Sequence, residues 1–168
     1  MKKIAILLAN LYDDKELIFP YYRFLEAGYD VDLIGAKANE IYKSKVGLPM
    51  KSNVASKDAN PDDYVALFIP GGFSPDYMRR DQATIDFTKA MCKQNKPIGA
   101  ICHGPWMMIS GCDLKGKTLT GVISIKDDIE NAGGKYVDQA LVIDGNLITS
   151  RNPNDLPVFA KAMLDAIK

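Results

Sequence analysis

KPIGAICHGPWMMIS, residues 96–110, sets one short apolar run, Ile98 to Ile101, against a second, Trp106 to Ile109, with Cys102, His103 and Gly104 between them. Lys96-Pro97 closes a preceding helix, the first run fits a buried strand, and the second resumes as a helix. A strand that breaks sharply into a helix holds its turn residue above the carboxyl end of a parallel sheet. The helix's unpaired N–H groups and dipole then point at that residue. A thiol placed there is expected to ionise readily, because helix N-termini and basic neighbours lower a cysteine pKa from about 8.5 to roughly 3.5–7.5. Most free cysteines are small buried hydrophobes. Placement on the turn, beside a histidine and a glycine, makes Cys102 a candidate nucleophile.

Outward from the turn, the chain alternates strands and helices. Lys3 to Ala9 is a continuous apolar run, as expected of a strand covered on both faces. Glu16 to Ala27 reads as a helix ending at Gly28, with Pro20 marking a bend or a late start, and Tyr29 to Ile34 alternates as a second strand. This βαβ unit predicts a parallel sheet with right-handed crossovers. Residues 35–60 suggest only an edge hairpin, from Ile41 to Lys43 and Leu48 to Asn53. Tyr64 to Pro70 is another buried strand, closed by Gly71-Gly72, and Gln82 to Asn95 is the helix leading into the cysteine strand. Beyond Ser110, a helix over Ile125 to Ala132 precedes short strands at Lys135 to Val137, Leu141 to Ile143 and Leu147 to Thr149. Asp144-Gly145-Asn146 makes a hairpin turn, and Asp155 to Ile167 is the last helix.

The 168 residues fit one domain, 1–168. Acidic and basic side chains balance at 21 each, so charge provides no argument for nucleic acid or an anionic membrane. The N-terminal MKKIAILLANLYDD imitates a signal peptide, but the run is too short, has no small-residue cleavage site and ends in acids, so it reads better as the first strand. Cys92, Cys102 and Cys112 are an odd count with no CxxC pair, which suits a reducing cytoplasm, with Cys92 and Cys112 merely packed. Three cysteines ten apart and one histidine do not make a zinc site, so neither metal nor cofactor is expected.

Around the thiol the residues suggest a division of labour. The single histidine, His103, either swings back to the sulfur as a base or faces a partner elsewhere. This excludes an amidotransferase mechanism, which needs a histidine far downstream. A base needs an acid, and Asp13, Asp14, Glu16 and Asp76 all follow strand ends that share one rim. Glu16, kept protonated by a crowded anionic site, would donate a hydrogen bond to the thiolate. Backbone N–H groups of the Gly71-Gly72 turn and of His103 would hold a developing oxyanion.

DDKELIFP, PGGFSPDYMR, AICHGP, IKDDIENAG and TSRNPNDLP together identify the chain as resembling PfpI-type proteins, of the superfamily that includes the DJ-one protein. The resemblance implies a flavodoxin-like α/β sandwich, three-layered with a mostly parallel sheet and a cysteine elbow, assembled as dimers or hexamers. It implies Cys102 as nucleophile, Glu16 as its carboxyl neighbour, His103 as base and Gly72 as oxyanion-hole donor. Asp13, Gly71 and Gly104 would support the site. Asp76 matches the acid that reaches the histidine of an adjacent subunit. The implied reactions are hydrolytic: removal of methylglyoxal or glyoxal adducts from amino groups and thiols in stress defence, hydration of methylglyoxal itself, or peptide cleavage. Peptidase members often carry glutamate at the position of Asp76. SPDY resembles the deglycase branch, although Phe73 replaces a histidine and Trp106 a glutamine there. A rival from another class is a non-catalytic redox sensor or chaperone using the same thiol.

Overall fold

The computed structural model describes residues 2–168. Seven strands form the main sheet in the order β10-β11-β7-β6-β1-β2-β5. In chain order these are β1 (Lys3–Leu7), β2 (Asp30–Gly35), β5 (Val54–Ala55), β6 (Tyr64–Ile69), β7 (Ile98–Ile101), β10 (Val142–Asp144) and β11 (Leu147–Ser150). All neighbours pair in parallel except the β10–β11 hairpin. Two small sheets stand apart: β3 (Ile41–Lys43) with β4 (Pro49–Lys51), and β8 (Thr118–Leu119) with β9 (Lys135–Tyr136).

The continuous apolar strands follow from helices on both faces. Ile4 and Ile6 of β1 point to one layer, where α1 (Asp14–Glu26) and α6 (Leu156–Ala166) supply Leu17, Phe24, Phe159 and Met163. Ala5 and Leu7 point to the other, formed by α2 (Ser74–Met78), α3 (Gln82–Lys93), α4 (Pro105–Gly111) and α5 (Lys126–Asn131). Each large apolar side chain taken fully from water contributes roughly 1.5–3 kcal/mol. Phe68 of β6 stands edge-on to Phe24, with centroids 5.8 Å apart, and 5.5 Å from Phe159, so sheet and helices lock through aromatic contacts. The expected three-layer sandwich with a parallel core is present.

Four local readings need correction. The hairpin over residues 41–51 forms its own sheet and leans over the end of β1, where Leu11 N–H donates to Lys43 O at 2.7 Å and Lys45 N–H to Tyr12 O at 3.0 Å. The sheet edge on that side is instead β5, two residues too short to register as a pattern. Pro20 does not mark a late start of α1: the Asp13 carboxylate caps the N–H groups of Lys15 and Glu16 at 3.1 and 3.3 Å and starts the helix at Asp14. Cys92 and Cys112 are not separate packed thiols but a disulfide, with Cα atoms 5.7 Å apart. Helices α3 and α4 lie side by side so closely that a Cβ on Gly111 would come within 2.6 Å of Thr88 Cγ2, and this brings the two sulfurs together. An odd cysteine count therefore carries no argument about the compartment.

Among the described residues no helix is long and apolar enough to cross a membrane.

Candidate active site at a cysteine elbow

The site grows from the end of β7. Ile101 is the last strand residue, Cys102 turns the chain with φ at +60°, and Gly104 starts α4. A side chain in the left-handed region costs about 1–3 kcal/mol and persists only where its surroundings enforce it. Here they do. Cys102 N–H donates to Ser150 O of β11 at 3.1 Å, Cys102 O accepts from Val122 N–H at 2.9 Å, and Gly104 N–H closes the turn on Ile101 O at 2.7 Å. A Cβ on Gly104 would lie 2.7 Å from Ile69 O and 2.8 Å from Ile101 N, so only glycine allows α4 to start against the sheet. Cys102 is the free cysteine, and it is partly exposed.

Glu16, on the first turn of α1, is 1% exposed. Its Oε2 accepts from Gly71 N–H at 2.8 Å, while Oε1 is buried with no hydrogen-bond partner. Gly71 is the wedge between acid and thiol, since a Cβ there would lie 2.5 Å from Glu16 Oε2 and 2.8 Å from Cys102 Cβ. Burial and the negative charge of Asp13 push Glu16 up to about 7, against the pull of Gly71 N–H, Cys102 and Lys45.

The expectation of an acidic thiol fails. Burial, then the Glu16 carboxylate, push Cys102 up to about 12, although the backbone N–H groups of His103 and Gly72 pull the other way. Those N–H groups, one on the turn before α4 and one after β6, lower the thiol, and that gain is smaller than the cost of burying a negative charge there. Cys102 rests as a thiol, held there first by burial and, once Glu16 ionises, by the carboxylate beside it.

His103 swings back to the sulfur, with Nδ1 3.5 Å from Sγ and Nε2 3.4 Å from Ser124 Oγ. Burial and the Lys45 charge hold its imidazole below the usual range, with Asp128 opposing, which favours the neutral ring. Trp106 stands edge-on to it at 5.0 Å and is itself held by Asp128, which accepts from its indole N–H at 2.9 Å.

Gly72, at φ +68°, directs its N–H to the sulfur while its Cα presses on the β1 rim, where a Cβ would lie 2.5 Å from both Asp13 N and Leu11 O. Gly72→Ala should therefore destabilise the protein by about 2 kcal/mol, from left-handed strain plus displaced backbone, and lower turnover by at least about tenfold. Chemical denaturation and steady-state rates check both. Gly71 N–H, in contrast, is committed to Glu16 and is no free oxyanion donor. Asp13 caps α1 and pairs with Lys45 at 2.8 Å, a contact that raises the lysine pKa.

Asp76 does not reach His103 within the chain. It pairs with Arg80, in the turn just past α2, and among the described residues no carboxylate hydrogen-bonds to the imidazole. Sequence reading passed over Lys45 and Ser124. Neither lies in a periodic stretch or a motif, and each arrives only because its loop folds over the rim.

Three comparisons bear on this arrangement. The model of the DJ-1/PfpI family matches residues 2–166. A Bacillus subtilis protein, YraA, named for a proposed cysteine protease activity, is 42% identical over 167 residues, covering 99% of each chain. An uncharacterized protein of Staphylococcus epidermidis is 41% identical over 169 residues, 99% of this chain and 98% of that one. Among solved structures, a two-domain Anabaena variabilis protein with DJ-1/ThiJ/PfpI-like and ferritin-like domains superposes with TM-score 0.96 at 43% identity. That match covers 98% of this chain and 48% of the other, about half its length. Schizosaccharomyces pombe DJ-1 superposes with TM-score 0.88 at 28% identity over 99% and 92% of the two chains.

Proposed function

The chain belongs to the DJ-1/PfpI family, and from that premise we propose that it is a cysteine-dependent hydrolase acting on methylglyoxal- or glyoxal-derived adducts of amino groups and thiols. The observation that carries the reading is the convergence on one strained, partly exposed thiol of a neutral imidazole, a carboxyl protonated up to neutrality and two backbone donors. A redox sensor needs neither base nor oxyanion donors.

In this reading the working form has Glu16 protonated. The thiol is then relieved of the carboxylate's repulsion, and its proton passes to His103 as Sγ attacks the hemiaminal, hemithioacetal or carbonyl carbon. Glu16 steadies the sulfur, and the N–H groups of Gly72 and His103 receive the developing negative charge on oxygen. His103 returns the proton to the leaving amine or thiol, which leaves a hemithioacetal on Cys102. The imidazole then carries the proton from C1 of that adduct to C2 through an enediol, turning it into a 2-hydroxyacyl thioester, and water hydrolyses the thioester to the free hydroxy acid. Peptide cleavage by the same thiol is the second reading, favoured by the name of the B. subtilis relative. Purified protein compared on methylglyoxal, on a glycated N-acetylcysteine or lysine adduct and on a fluorogenic peptide separates them. A higher kcat/KM on the adducts supports the proposal, and turnover of the peptide alone overturns it.

A homodimer or hexamer belongs to the proposal. The outer face of α1 leaves Phe19, Tyr22 and Leu25 at 42%, 60% and 40% exposure, along a groove of about 1170 Å³ that Leu48 and Pro157 complete. Away from the thiol, that groove is the surface we assign to a second copy. A shared site needs a further contact, on the α2 side of the sheet, at which Asp76 of one subunit would exchange Arg80 for the histidine of its neighbour. Asp76→Ala should lose activity by about 10²-fold or more with assembly intact. Mixed one-to-one with Cys102→Ala subunits, it should recover up to about a quarter of wild-type activity in pairs, since half the pairs are mixed and one of their two sites is complete. No recovery in confirmed mixed assemblies would rule out a shared triad.

A further inference from the structure

The disulfide encloses the elbow. Cys92 lies in the last turn of α3 and Cys112 caps the end of α4, and the twenty-residue separation between them spans β7, Cys102, His103 and all of α4. Cys102 stands at the midpoint of that closed loop, in a left-handed conformation that only its surroundings maintain. Neither cysteine is sealed in the core. Both are half-buried and line a surface cleft of about 520 Å³, with Lys89, Lys93, Asn95 and Ser110 around them. Asp113 and Lys117 also line it, Lys117 paired with Asp144, while Lys89 and Lys93, one turn apart on α3, make no ion pair among the described residues, so cations outnumber the one acid in the cleft and favour an anionic visitor. An accessible bridge beside lysines can exchange with an external thiol, because the attacking species is a thiolate and positive charge draws it in.

We propose that Cys92–Cys112 is a thiol-exchange site for an anionic low-molecular-weight thiol and its disulfide, and that the bridge clamps the loop carrying Cys102. The steps balance as two exchanges. On closing, one cysteine thiolate attacks the external disulfide, forming a mixed disulfide and releasing one thiolate. The other cysteine then attacks the protein sulfur of the mixed disulfide, closing the bridge and releasing the second. Opening runs the same steps in reverse. The inference deepens the hydrolase reading by adding control of its nucleophile, but its test needs no turnover.

The protein is equilibrated in reduced and oxidised glutathione at a series of ratios, the free thiols are capped, and the state of the pair is read by intact mass. Thermal melting and amide hydrogen exchange follow on each form. Opening should occur without denaturant and be reversed by oxidised glutathione. The closed form should melt roughly 6–12 °C above the open one, the effect expected of a loop of this length in a domain of this size. Exchange of the Trp106 and Met107 amides, which bond to His103 O and Gly104 O, should speed up roughly threefold or more in the open form. Cys92→Ser/Cys112→Ser should melt like the open wild type under both conditions. Should that variant fail to fold, the two wild-type forms alone decide. A bridge that opens only after unfolding, or open and closed forms with equal melting and exchange, overturns the proposal. A responsive clamp on a chain that hydrolyses nothing would sink the hydrolase reading and leave the clamp standing.

Discussion

Cys102→Ala should abolish hydrolysis of dicarbonyl adducts and of peptides alike, by on the order of 10⁴-fold or more, with unfolding behaviour close to that of the wild type. The size follows from the site's dependence on one atom. The donors on Gly72 and His103, the base at 3.5 Å and the buried acid all converge on Sγ, and none supplies a nucleophile of its own. The fold survives because alanine keeps the β-carbon and the backbone bonds to Ser150 and Val122. Cys92 and Cys112 cannot substitute, since they are spent on each other. Steady-state rates beside a denaturation curve suffice, and a residual rate within tenfold of wild type would remove Cys102 from the chemistry.

Glu16→Gln should move stability and the pH profile together. The carboxyl of Glu16 is raised from an ordinary value near 4.5 to about 7. Its sign is therefore that of a site preferring the neutral form. The stabilisation is complete below about pH 4.5 and is lost as pH rises through 7, a loss of roughly 3 kcal/mol. Glutamine stays neutral, can still accept from Gly71 N–H, and offers its amide where Oε1 now has no partner. The variant should match the wild type near pH 5 and exceed it by up to about 3 kcal/mol above pH 8 in chemical denaturation. Activity follows the same group. Wild-type kcat/KM should fall above pH 7 as Glu16 ionises and pins the thiol. The variant should lack that limb and outrun the wild type by about tenfold or more near pH 8.5. An unchanged alkaline limb would show that Glu16 is not the group controlling the sulfur.

Much of this was legible in the sequence wherever local pattern and tertiary structure ask for the same residues. Ile98 to Ile101, followed by Cys102 and then Pro105, is a buried strand meeting a helix start, and no packing detail alters that reading. The Gly71-Gly72 pair marks the neighbouring strand end for the same reason. What escaped depends on distance in space. Lys45 reaches Asp13 because the hairpin folds back over β1, and the disulfide closes because α3 and α4 approach at Gly111. Neither approach leaves a periodic trace. The thiol's acidity was misjudged by weighing the helix end and not the burial, for a helix of seven residues offers a few N–H groups while Glu16 confronts the sulfur with a charge in low dielectric.

The most direct test is to quench a single turnover of a methylglyoxal-glycated adduct and weigh the protein. A lactoyl thioester should appear on the peptide containing Cys102, form as the amine or thiol product is released, and decay at the turnover rate. Product released while Cys102 stays unmodified throughout would contradict the account.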